Sequence, residues 1–100
     1  MLDINNLPLE FKEDILKAIS LLKKAGCTEI YLFGSLTQGS AIRETADIDF
    51  AVKGLPNEIY FKTLADLLFS LKHKIDLVSL DADISFARHL IEGNRLEKIA

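Results

Sequence analysis

An apolar, β-favouring run, Ile30-Tyr31-Leu32-Phe33, stops abruptly at Gly34-Ser35, and a second such run, Asp47 to Val52, begins with two aspartates flanking one isoleucine. Few folds accept that pair. Side chains alternate along a strand, so Asp47 and Asp49 are expected on one face with Ala51, and Ile48, Phe50 and Val52 on the other. Adjacent like charges gain nothing from a core, and a divalent cation between them removes the conflict. Gly34 has no Cβ, so backbone N–H groups there can approach a phosphate closely. Ser35 adds a hydroxyl where a helix can begin, its positive dipole end toward an anion. Gly39, in the spacer from Leu36 to Ala46, permits a close approach or a positive φ. A third carboxylate, Asp76, interrupts the apolar run from Ile75 to Leu80. An isolated buried carboxylate is costly, so Asp76 is expected to share a metal with Asp47 and Asp49.

The flanking segments supply the elements that would carry these residues. Pro8 suits a first helical turn. Phe11, Ile15, Ile19 and Leu22 repeat at helical spacing, and Gly26 fits a C-terminal cap behind Lys23 and Lys24. Cys27 reads as a small half-buried thiol. Thr28 to Phe33 is the first expected strand, Asp47 to Lys53 the second and Ile75 to Leu80 the third. Ser35 to about Ala41 is expected as a short helix or turn, followed by a polar loop in which Arg43 is either solvated or a phosphate contact. Gly54-Leu55-Pro56-Asn57 reads as a turn into a helix with Tyr60, Leu64, Leu67, Leu68 and Leu71 as its buried stripe. Lys72-His73-Lys74 would complement that helix's C-terminal dipole. Asp81 or Asp83 can cap a last helix with Ile84, Ala87, Leu90 and Ile91 inward, Arg88 and His89 solvated, and Gly93 as its stop. These elements make an α/β or α+β domain.

Composition narrows the function. A chain of 100 residues with 49% hydrophobic residues fits one domain with a real core. A net charge of −3 argues against non-specific nucleic-acid binding, which needs a basic face. No run approaches the roughly 20 apolar residues of a membrane span, and the single Cys27 cannot form an internal disulfide. A cytoplasmic protein is expected.

Gly34-Ser35, Gly39, Asp47-Ile48-Asp49 and Asp76 in Ile75-Asp76-Leu77-Val78, in this order, resemble the minimal nucleotidyltransferases of the DNA polymerase beta superfamily. The resemblance covers nearly the whole chain, and residues 1–100 are expected to form one minimal nucleotidyltransferase domain. It implies a small mixed sheet with helices on one face and the site on the other. It further implies that Asp47, Asp49 and Asp76 are catalytic and hold two Mg2+ ions, and that Gly34, Ser35 and Gly39 cradle the phosphates of ATP. A hydroxyl would attack the α-phosphorus and release pyrophosphate. Acidic and without an added substrate domain, the chain looks most like the antitoxin of HEPN–MNT toxin–antitoxin pairs, which transfers AMP to a tyrosine of a cognate HEPN-domain protein. Homo- or hetero-oligomers are compatible with that role. The chain departs from the pattern at Leu36-Thr37-Gln38, where many members have Arg, and at Ala46, where many have Ser. A non-catalytic partner that masks a HEPN protein is the alternative.

Overall fold

Helix α1, Leu9–Lys24, begins directly after Pro8, whose carbonyl accepts the N–H groups of Phe11 and Lys12. A computed structural model describes residues 3–34, 46–81, 85–93 and 96–100. Phe11, Ile15, Ala18 and Leu22 are buried along one stripe of α1, and Ile19 is partly buried. The helix ends in a Schellman motif: Gly26 N–H donates to Lys23 O and Cys27 N–H to Leu22 O, both at 3.1 Å. Gly26 takes φ +110°, a conformation that side chains disfavour.

The chain then enters strand β1, Glu29–Phe33. Strand β2, Ile48–Lys53, follows the spacer. A one-turn 3-10 segment leads into helix α2, Tyr60–Ser70, and α2 leads to strand β3, Ile75–Ser79. Helix α3, Ser85–Glu92, and the two-residue strand β4, Glu97–Lys98, complete the order. The sheet runs β3-β2-β1-β4. β1 is antiparallel to both β2 and β4, and β2 is parallel to β3. This is the expected mixed sheet with an α+β architecture. β4 was not anticipated from the sequence.

Alternation along β2 divides the core as expected. Ile48, Phe50 and Val52 join Ile30, Leu32 and Leu77 beneath α1 and α2. On the opposite face a smaller cluster gathers Phe33, Ala51, Val78 and Leu80. Ala51, expected to leave room for a ligand, is fully buried in that cluster.

Four expectations need correction. Leu68 does not belong to the buried stripe of α2; it is 51% exposed, and Thr63 is buried instead. His73 is no dipole partner at a helix end, because α2 stops at Ser70. Its ring stacks on Phe11 at 4.0 Å, and Nδ1 lies 2.7 Å from Asp14 Oδ2. Asp81 Oδ2 accepts the Gly54 N–H at 2.7 Å, tying the end of β3 to the turn after β2. Ile91, expected on the inward stripe of α3, is 49% exposed. Arg88 and His89 are exposed as expected. Asp83 and Ile84, and the short helix or turn expected from Ser35 to Ala41, lie outside the described residues, as do the side chains of Ala87 and Leu90.

Candidate active site

Strand pairing determines which polar residues meet. Phe33 pairs with Asp49 across β1 and β2, and Asp49 pairs with Asp76 across β2 and β3. Directly paired residues project to the same face of a sheet. The row Phe33, Asp49, Asp76 therefore lies on the face opposite α1 and α2, at the end where β1 leaves the sheet and β2 and β3 enter it. Asp47 stands immediately before β2 and is exposed.

Asp49 is the pivotal carboxylate. It is half-buried, and its pKa is pushed up to about 6, first by burial and then by the charges of Asp76 and Asp47. Like charges brought together disfavour the ionised form. The three carboxylates thus share a face and an electric field. They are not gathered into a finished coordination sphere: among the described residues no group of three or more His, Cys, Asp and Glu is positioned to hold a metal ion. The chemistry of the donor set, acceptor-only oxygens in mutual repulsion, nevertheless fits a hard divalent cation.

Gly34 follows β1 with φ +79°. A Cβ built there would run into Asp49 Oδ2, far inside contact distance. The glycine is thus required by the carboxylate itself, in addition to any ligand. Ser35, Gly39 and Arg43 lie outside the described residues. Of the expected site residues, the structure brings together Gly34, Asp47, Asp49 and Asp76.

Asp76 differs from its expectation. It is exposed rather than buried, so burial does not oblige it to find a partner. Its Oδ1 accepts the Leu77 N–H at 3.0 Å. Tyr60, at the start of α2, donates its hydroxyl to the Leu77 carbonyl. Both backbone groups of Leu77 on the open edge of β3 are thereby occupied by side chains. Burial and then the Asp76 charge raise the pKa of Tyr60.

Beside Asp76 the start of α2 and the edge of β3 enclose a cavity of about 460 Å³, whose lining includes Tyr60, Phe61, Leu77, Val78 and Ser79. Sequence reading missed it. Its one legible signal was Ser79, the second polar interruption in the apolar run of β3.

Comparison with known proteins identifies the family and the fold. A model of the family "Polymerase beta, Nucleotidyltransferase" matches residues 16–96. No curated protein matches. Among solved structures, a variant of the toxin–antitoxin complex MntA–HpeT has TM-score 0.65 and 28% identity, over 86% of this chain and 71% of that one. A toxin–antitoxin structure with AMP-PNP has TM-score 0.63 and 29% identity, over 91% and 72%. A minimal nucleotidyltransferase at 20% identity shares the fold, with TM-score 0.64 over 99% and 96%. The family match takes in both β1 with Gly34 and the three-aspartate face, and by it the chain belongs to the polymerase beta nucleotidyltransferases.

Proposed function

We propose that this chain, residues 1–100 acting as one minimal nucleotidyltransferase domain, moves AMP from ATP to a tyrosine of a cognate HEPN-domain toxin in the cytoplasm. The observation that carries the reading is the position of Asp49, held between Gly34 just after β1 and Asp76 on β3, with a pKa raised first by burial and then by its acidic neighbours. A structural role would avoid that repulsion; a cation would use it. Asp47, Asp49 and Asp76 would hold Mg2+. Bound there, Mg2+ would neutralise charge growing on the attacking and leaving oxygens.

The remaining work falls to the chain's own groups. Gly34 keeps the backbone clear at the carboxylate, so a triphosphate can approach there, and Ser35 and Gly39 would contact its phosphates. Asp49 must be ionised to act, which it is for the most part at neutral pH. Asp76 must turn from the Leu77 N–H toward the ligand. Protein-directed chemistry is supported by the toxin–antitoxin complexes among the structural neighbours. It is supported as well by the apolar side chains that α2 leaves exposed, Phe61 at 79% and Phe69 at 91%.

The test is mass spectrometry of the all-helical partner after incubation with Mg·ATP. One added AMP on a tyrosine is expected, with release of pyrophosphate. Those exposed apolar side chains also favour a second reading, neutralisation by masking alone. No mass change in an intact, neutralised complex would establish masking and discard transfer.

A further inference from the structure

We propose that Asp14, on α1 and outside the site, is a positioning residue: it sets the register of β3 and so brings Asp76 beside Asp49. The consequence for the site rests on the nucleotidyltransferase reading; the register itself does not. Among the described residues β3 pairs on one side only, with β2. Both of its faces are apolar. Leu77 joins the core beneath the helices, and Val78 and Leu80 join the cluster on the opposite face. A strand with one apolar face is fixed by burial, because a slip of one residue turns that face to water. In β3 such a slip would exchange one apolar set for another. It would also carry Asp76 to the helix side of the sheet, away from Asp49. Apolar burial alone therefore fixes this register weakly, and a directional contact has to add to it.

The entry to β3 has that contact. Asp14 Oδ2 accepts the N–H groups of Lys72 and His73 at 3.0 and 2.9 Å and lies 2.7 Å from His73 Nδ1. Phe11, on the same face of α1 one turn earlier, stacks on the His73 ring. α1 thus grips His73 by its backbone, its ring nitrogen and its ring face. The side chains of Asp14 and His73 are both buried, where a hydrogen bond is stronger and its loss more costly than in water. The first rung of the β2–β3 ladder follows at once: the Lys74 carbonyl accepts the Ile48 N–H at 3.0 Å. Asp76 is the second residue after Lys74 and pairs with Asp49. At the far end Asp81 also ties β3 down, through the Gly54 N–H, but Asp81 is exposed. Fixing register is the best-attested use of a buried polar group. What Asp14 supplies is an acceptor at a set reach from α1, with its charge secondary.

Two variants separate reach from charge. Asp14→Asn keeps an acceptor oxygen at the same reach without the charge; Asp14→Glu keeps the charge and moves the acceptor by one methylene. Leu22→Ala, buried further along α1, is the control for lost stability as such. Circular dichroism checks folding, calorimetry gives the affinity for Mg·ATP, and NMR follows amide exchange without metal. Asp14→Asn and Leu22→Ala are expected to bind Mg·ATP within about threefold of the parent, and Asp14→Glu about tenfold more weakly or worse, since small misplacements are costly at such sites. In metal-free Asp14→Glu the Ile48 amide should exchange about tenfold faster relative to Leu80, whose N–H donates to Val52 O at the other end of the pairing. Parent-like binding by Asp14→Glu would overturn the role. So would weakening in Asp14→Asn alone, which would make charge the contribution, or equal weakening in Leu22→Ala, which would make Asp14 ordinary framework. The parent by itself supplies a test that needs no variant. Its Lys72 and His73 amides should be protected from exchange as well as Ile48, because the grip and the first rung open together; free exchange at Lys72 and His73 beside a protected Ile48 would overturn the register role. A parent indifferent to Mg·ATP would defeat the transferase reading, and the exchange rates would still decide the register.

Discussion

At the scale of single residues, Gly34 and Asp49 are one unit. Gly34 looked on sequence grounds like a phosphate contact, and the structure gives it a second duty: any side chain there collides with the Asp49 carboxylate. Gly34→Ala therefore carries two costs, roughly 1–2 kcal/mol for an L-residue at left-handed φ and about 1–2 kcal/mol for overpacking. Removing the carboxylate separates them. In an Asp49→Ala background only the backbone cost should remain, because the Asp49 Cβ lies at an ordinary 3.6 Å from the added carbon. Urea denaturation of the four proteins in this double-mutant cycle should give a coupling of about 1 kcal/mol or more. Additive effects would mean that the two residues do not press on each other. Sequence could not reveal this pairing, since it depends on the register that sets Phe33 opposite Asp49.

At the scale of elements, the link between α1 and the entry to β3 was only partly legible. The α1 stripe, its Schellman end, and strands β1 to β3 all follow from periodicity and punctuation. Asp14 was overlooked, although it sits on the buried stripe three residues after Phe11 and only 3% exposed. Its Oδ2 accepts the N–H groups of Lys72 and His73 at 3.0 and 2.9 Å and faces His73 Nδ1. The polar residue in an apolar stripe was the available signal; its partners, far along the chain, were not. β4 was illegible for a related reason. Glu97–Lys98 has no strand pattern of its own and is defined by pairing with Tyr31 and Leu32. Burial pushes the Asp14 pKa up, but hydrogen bonds from His73 and Lys72 outweigh it, and the net shift is downward. A depressed carboxylate stabilises the fold above its unfolded pKa of about 4 and loses that contribution as pH falls through the folded value. Asp14→Ala should cost about 2–4 kcal/mol at pH 7, since it strands buried donors. Asp14→Asn should narrow its deficit against the parent as pH drops from 7 to 3. Parallel pH profiles for parent and Asp14→Asn, by urea denaturation, would remove Asp14 from the acid sensitivity of the fold.

At the scale of the whole molecule, a site built on repulsion makes stability depend on its ligand. Without a cation, the acidic face costs the fold some of its stability at neutral pH, because Asp49 ionises there against burial and its neighbours. Much of that cost is screened, since Asp49 is only half-buried, so relief on removing the charge is about 1 kcal/mol. Binding of Mg·ATP acts in the opposite sense on the parent. Ligand at a hundred times its Kd adds about 2.7 kcal/mol, and each kcal/mol moves the midpoint of a domain this size by roughly 4–8 °C. The parent should therefore melt about 10 °C higher or more with saturating Mg·ATP. The double variant Asp47→Asn, Asp49→Asn should melt at or slightly above the parent without ligand and gain nothing from Mg·ATP. Asp66→Asn, on the exposed face of α2 where Asp66 pairs with Lys62, is the control for loss of acidic charge as such and should respond like the parent. Scanning calorimetry of the three proteins decides the matter. A double variant that still rises with Mg·ATP would place the nucleotide away from the acidic face. One that melts well below the parent without ligand would make the aspartates part of the framework and not a site maintained at the expense of stability.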